Sequence, residues 1–88
     1  MTPADHAVFI YALSTCPWCH KAKRYFEDNG IAFEAVDIDL LPDDEGDRLA
    51  DEALFASGSR AYPVVRIGEQ VIVGYAPEKY AELLGIGD

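Results

Sequence analysis

The chain has 88 residues, half of them hydrophobic and 26% charged, which is ordinary globular usage and argues against a disordered, collagenous or low-complexity chain. One domain, 1–88, fills that length, and its core must be thin, because so small a domain buries only about 60–70% of the surface its unfolded chain exposes. Sixteen acidic against seven basic residues leave a net charge of −9, which repels phosphate backbones and disfavours nucleic acid as a partner. Two cysteines are too few for a disulfide-stapled secreted scaffold. No stretch approaches the ~20 apolar residues that span a bilayer, so no membrane is expected. Residues 1–6 have neither a basic n-region nor an apolar h-region, so no secretory signal is expected, and Met1 argues against a mature fragment. The expected location is the cytoplasm.

The first apolar run, Val8-Phe9-Ile10-Tyr11 within residues 6–11, predicts a buried strand bounded by Ser14 and Thr15. A helix follows, with Pro17 in its first turn, where the missing N–H costs nothing. Cys19, Ala22 and Phe26 share one face of it, while Lys21, Lys23 and Arg24 fall elsewhere. Asn29-Gly30 stops it, since Gly takes the left-handed conformation without a Cβ penalty. Residues 33–39 predict a second strand with Val36 and Ile38 on one face. Pro42 then opens a second helix, whose first turn carries Asp43, Asp44 and Glu45 against the positive end of the helix dipole. Leu49, Ala50, Ala53 and Leu54 form its apolar stripe, and Gly58 ends it. Residues 64–67 and 70–73 flank Gly68-Glu69, the pattern of a two-residue hairpin with a type II′ turn. Gly74-Tyr75-Ala76 forms a loop, and Pro77 opens a last helix through Leu84 that Gly85 stops.

The order β-α-β-α-β-β-α combines a parallel, right-handed βαβ unit with an antiparallel hairpin. That predicts an α/β domain whose four-stranded mixed sheet is covered by three helices. Half of the acidic residues lie between Asp37 and Glu52, a stretch that reads as a solvated helix face.

The chemistry concentrates in Cys16-Pro17-Trp18-Cys19. A C-x-x-C motif between a strand and a helix is a strong redox signal. The first N–H groups of a helix lack partners and carry partial positive charge, so a Cys16 thiolate is favoured there; thiols so placed have pKa values of about 3.5–7.5. Cys19 lies one helical turn on, within reach of Cys16. These positions predict dithiol–disulfide exchange, with Cys16 as nucleophile and Cys19 as resolving thiol.

These residues also carry a resemblance. The segment from Ser14 to Lys23 (Ser-Thr-Cys-Pro-Trp-Cys-His-Lys-Ala-Lys), then Tyr62-Pro63-Val64-Val65, then Gly74-Tyr75 and the Pro77 helix, resembles the glutaredoxin and NrdH-redoxin branch of the thioredoxin-fold proteins over nearly the whole chain. The resemblance implies a thioredoxin-like fold of the glutaredoxin subclass. It also implies a cis peptide bond before Pro63, facing the cysteines, which the residues alone do not predict because only about 5–6% of X–Pro bonds are cis. Such a bond would let the Tyr62 backbone pair with an extended substrate strand. Glutathione-dependent members of the family usually carry a Lys where this chain has Leu13, and a Gly-Gly pair followed by acidic or polar groups where it has Val73-Gly74-Tyr75-Ala76-Pro77. Gly74-Tyr75-Ala76-Pro77-Glu78 looks like the NrdH-redoxin pattern, whereas Pro17-Trp18 looks more like a glutaredoxin. The mixture leans towards a thioredoxin-reductase-like protein as electron donor, with glutathione as the alternative.

Other readings of the thiols are weaker. Cys16-Pro17-Trp18-Cys19-His20 matches the haem signature C-x-x-C-H, but an export signal is absent and neither Met1 nor His6 suits an axial ligand. A zinc site would need to gather His6 and His20 with both cysteines. An iron–sulfur cluster bridged between two chains uses glutathione in some glutaredoxins, and this chain lacks the polar contacts expected to hold it. A purely structural disulfide across so short a loop removes little chain entropy. His20 reads as a helix residue that, if protonated, would favour the Cys16 thiolate together with Lys21. Tyr11 reads as core. Catalytic roles are thus expected for Cys16 and Cys19, and substrate contacts for Pro17, Trp18, Tyr62, Pro63, Gly74 and Tyr75. No metal site and no bound cofactor beyond the Cys16–Cys19 redox disulfide are expected, in a monomer that meets disulfide-containing protein substrates.

Overall fold

The computed structural model describes residues 7–85. The apolar run forms strand β1, Val8–Ala12, in which Val8, Ile10, Tyr11 and Ala12 are all buried. A strand buried on both faces belongs in the middle of a sheet. β1 pairs in parallel with β2, Glu34–Asp37, and antiparallel with β3, Val64–Ile67; β3 pairs antiparallel with β4, Gln70–Val73. The sheet order is β2-β1-β3-β4. Positive φ in the connecting turn of the hairpin occurs at Gly68 (+61°) and not at Glu69, as a type II′ turn requires. His6, placed at the head of the first strand segment by the sequence, lies outside the described residues, as does Met1.

Alternation along the strands divides the core in two. Val8, Ile10 and Ala12 of β1 and Val65 and Ile67 of β3 pack on one face against Cys19, Ala22 and Phe26 of α1, Pro17–Asp28, and Tyr80 of α3, Pro77–Leu84. Tyr11 and Val64 point to the other face, where they meet Ile38, just after β2, and Ala53 of α2, Asp43–Ser57. The three helices therefore cover both faces of a four-stranded mixed sheet, and α1 shares its face with α3. No helix among the described residues is long and apolar enough to cross a membrane.

Two elements depart from the sequence reading. The strand expected over 33–39 ends at Asp37, and Ile38–Leu40 forms a single 3-10 turn. Within that turn Asp39 bonds to Ser14 across the β1–α1 loop instead of continuing a ladder, while Ile38 still reaches the second core cluster. Pro42 stands just before α2 as its N-cap, its carbonyl accepting the Gly46 N–H at 2.7 Å. Leu49 and Ala50 of the expected stripe pack against the core, but Gly46 rather than Leu54 is buried with Ala53.

Gly46 is small for a packing reason. A Cβ there would lie 3.1 Å from the Ile38 carbonyl oxygen, with the Ile38 and Leu41 side chains just beyond. Gly46→Val is expected to lower stability by about 1–3 kcal/mol through overpacking. In a domain of this size that is a Tm fall of about 4–8 °C per kcal/mol, measurable by calorimetry. An unchanged or raised Tm would show that the 3-10 turn yields freely.

Candidate active site

The loop that leaves β1 is short, and Leu13, Ser14 and Cys16 within it are held by hydrogen bonds. The Ser14 N–H donates to Asp39 Oδ1 at 2.8 Å, and the Ser14 hydroxyl donates to the other oxygen of the same carboxylate. These bonds, the hydroxyl one first, hold the Asp39 carboxyl below its ordinary range. His20 Nε2 lies 2.8 Å from the Ser14 carbonyl oxygen, so that nitrogen carries a proton and donates it. The Cys16 N–H donates to the Leu13 carbonyl at 3.1 Å. Cys16 is thereby delivered, in an extended conformation, to the N-cap of α1.

At that position the Cys16 Sγ accepts the Cys19 N–H at 3.2 Å. It stands where a serine or aspartate oxygen usually caps a helix, among otherwise unpartnered N–H groups. The sulfur is half-buried and lies 4.0 Å from the Tyr62 carbonyl oxygen. Cys19, one turn on, is fully buried. Burial foremost, and then hydrogen bonding with Cys16, push the Cys19 thiol up to about 12. Both cysteines are free thiols in this structure.

The opposite wall is built by β3 and the loop after β4. The Tyr62–Pro63 peptide bond is cis. The Pro63 carbonyl accepts the Gly74 N–H at 2.7 Å, and the Tyr80 hydroxyl donates to the Gly74 carbonyl. Gly74 has φ +90°, which side-chain-bearing residues rarely adopt, so glycine is needed for this turn. The turn places Tyr75 against Trp18, with ring centroids 6.1 Å apart and planes 26° apart. Trp18 is 54% exposed, and Lys21 Nζ sits 4.9 Å from its ring centroid, at cation–π distance.

Of the residues singled out in the sequence, Cys16 lies beside Tyr62 and the cis bond to Pro63, Pro63 is bonded to Gly74, and Tyr75 stacks on Trp18. Pro17 is exposed and opens α1, and Gly74 acts through its backbone. Lys23 is not a free surface charge, because it pairs with Asp37 at 2.9 Å. Asp37 thus leaves the solvated helix face to which the acidic stretch was assigned, and Asp39, still exposed, lies before that helix bonded to Ser14. Asp39 and Tyr80 were missed as site-building residues; neither stands in a motif that marks its partner. Among the described residues no group of three or more His, Cys, Asp or Glu side chains is placed to hold a metal ion. His6, the further ligand considered for zinc or haem, lies outside them.

A C-x-x-C pair at the start of a helix, fed by a central strand and faced by a cis-proline, defines a thioredoxin-like fold of the glutaredoxin type. Comparison with known proteins places it more closely. The Glutaredoxin family model matches residues 8–72. Over 72 residues the chain is 38% identical to the glutaredoxin-like protein NrdH of Salmonella typhimurium, covering 82% of each. The crystal structure of glutaredoxin grx-1 from Archaeoglobus fulgidus is similar with a TM-score of 0.84 at 35% identity, covering 90% of this chain and 86% of that one. The NrdH-redoxin of Escherichia coli gives 0.69 at 35% identity, covering 88% and 93%. The chain belongs to the glutaredoxin family, whose members are thiol–disulfide redox proteins.

Two outcomes follow from the unequal thiols. Iodoacetamide at neutral pH is expected to alkylate Cys16 and leave Cys19 intact in the folded, reduced protein, as read by peptide mapping; comparable labelling of both would contradict the burial of Cys19. Alkaline stability is the second. Cys19 rises from 9.0 to about 12, and Tyr80, also chiefly by burial, from 10.0 to about 12. Above pH 9 the unfolded chain releases these protons while the folded one retains them, so stability present below pH 9 is lost as pH rises towards 12. Each group steepens that loss by up to about 1.4 kcal/mol per pH unit. Chemical denaturation of Cys19→Ala is expected to show a shallower decline over this window than the wild type.

Proposed function

We propose that the protein is a dithiol carrier that reduces disulfides in proteins, with Cys16 as nucleophile and Cys19 as resolving thiol. The observation that carries this reading is the pair's asymmetry: one sulfur half-exposed at the helix N-terminus, the other sealed behind it. The Cys16 thiolate attacks a substrate sulfur, forming a Cys16–substrate disulfide and expelling the other substrate sulfur as a thiolate, which takes up a proton. Cys19 then loses its proton and attacks Cys16 Sγ, releasing the second substrate thiol. Two electrons and two protons pass to the substrate, and the protein leaves as the Cys16–Cys19 disulfide.

The two steps are coupled through charge. Hydrogen bonding and repulsion from Cys16 are among the causes that keep the Cys19 proton in place. Once Cys16 is tied up as a mixed disulfide, both disappear, and Cys19 becomes easier to ionise at the stage where it is needed. No bound organic cofactor is required, since the cysteine pair holds the electrons.

The electron donor in this reading is a thioredoxin-reductase-like protein. Leu13 and the segment Val73-Gly74-Tyr75-Ala76-Pro77 offer no charged side chain to the ends of glutathione. The NrdH-redoxin of Escherichia coli, 35% identical, is described as having a thioredoxin-like activity profile. The setting is the cytoplasm and the working unit a monomer.

The test supplies NADPH with thioredoxin reductase, or with glutathione and its reductase, and follows reduction of insulin disulfides. Turnover is expected to be faster with thioredoxin reductase; faster turnover with glutathione would overturn the choice of donor. Cys16→Ser is expected to reduce turnover to background. Cys19→Ser is expected to stall as a mixed disulfide visible in the intact mass.

A further inference from the structure

The basic residues of this acidic protein are unevenly placed. Three of the seven, Lys21, Lys23 and Arg24, fall within four consecutive positions, and α1 holds no acidic residue before Glu27. Lys23 is engaged by Asp37. Lys21 and Arg24 are exposed and, three residues apart, share one helix face. They line an open cleft of about 290 Å³ together with Tyr25, Asp28, Asn29 and Tyr75. The helical residues among them form a stripe, with the two cations towards the Cys16 end and Asp28 at the far end. Tyr75 closes the near end, and the same ring stacks on Trp18 at the active-site groove. The cleft therefore runs along α1 and adjoins the Trp18–Tyr75 pair beside the active-site cysteines.

On the other side of Tyr75 a second cleft carries Glu78 and Glu82 against Lys79. Charge thus changes sign across one aromatic ring, on a molecule whose net charge of −9 repels acidic surfaces in general. An acidic partner is attracted where Lys21 and Arg24 stand and discouraged elsewhere, which orients its approach as well as holding it.

Building on the thiol-exchange reading, we propose that the α1 cleft docks an acidic segment of the disulfide-bearing partner protein, its carboxylates meeting Lys21 and Arg24 and an apolar side chain resting on Tyr25 and Tyr75. Geometry sets the register. At about 1.5 Å per residue, Lys21 and Arg24 lie roughly 8 and 12 Å along the helix from Cys16. An extended peptide advances about 3.3 Å per residue, so its acidic residues fall about two to four positions from the cysteine under attack.

The test uses single-cysteine peptides carrying that cysteine as a neutral 2-pyridyl mixed disulfide, with Glu or Lys at positions two and four away. Release of 2-thiopyridone reports the rate, normalised for each variant to its own rate with 2,2′-dipyridyl disulfide. At low salt the reduced protein is expected to favour the Glu peptide by roughly fivefold, two weak exposed ion pairs, and the preference is expected to collapse near 1 M salt, where charges are screened beyond about 3 Å. The double variant Lys21→Glu/Arg24→Glu is expected to reverse the preference, and Arg48→Glu, on α2 across the sheet, to retain it. Equal rates for the two peptides, or a preference that survives the double variant, would overturn the docking surface while leaving thiol exchange intact. No thiopyridone release from 2,2′-dipyridyl disulfide would instead defeat the underlying reading.

Discussion

The Cys16 sulfur performs two tasks with one set of lone pairs. It caps α1 by accepting the Cys19 N–H, and it is the accessible member of the thiol pair. Sulfur is a weaker acceptor than the oxygens that usually cap helices. A helix start closed by sulfur alone would leave the cysteine loosely placed. The chain compensates upstream: Leu13, Ser14 and His20 fix the loop by backbone-directed bonds, and Asp39 grips Ser14 with both carboxylate oxygens. Reactivity and local order are thus supplied by different residues, so the sulfur need not be a good structural acceptor to be well positioned.

The same division holds across the groove. Pro63 is buried at the head of β3, and Gly74 is tied to its carbonyl on one side and to the Tyr80 hydroxyl on the other. Tyr80 of α3 is fully buried against the α1 aromatics Tyr25 and Phe26. A core residue therefore orients the turn that places Tyr75. The stability of the α1–α3 layer and the shape of the groove rest on the same contacts, so disturbing the layer disturbs recognition.

Much of this was legible in the sequence because it is local. The strand, Pro17, the cysteine spacing, the Gly68 turn and the Gly stops each announce themselves within a few residues, and local chemistry decided them. The cis bond at Pro63 came through family resemblance, since no composition rule distinguishes it from a trans bond. Asp39 is 25 residues from Ser14, and Lys23 is 14 from Asp37. Such pairs leave no periodic trace, and an acidic run looks alike whether its members are solvated or engaged. Gly46 was illegible for a similar reason: the carbonyl that keeps it small belongs to a turn the sequence presented as strand.

Trp18 is the single tryptophan of the chain, and it lies half out of the protein with one face on Tyr75. An indole in that position has its surroundings defined by a neighbouring ring, a lysine ammonium and solvent, all at the mouth of the groove. Anything that fills the groove displaces that solvent. The protein therefore carries an intrinsic fluorophore at its own doorway, and its emission is a gauge of occupancy that needs no label.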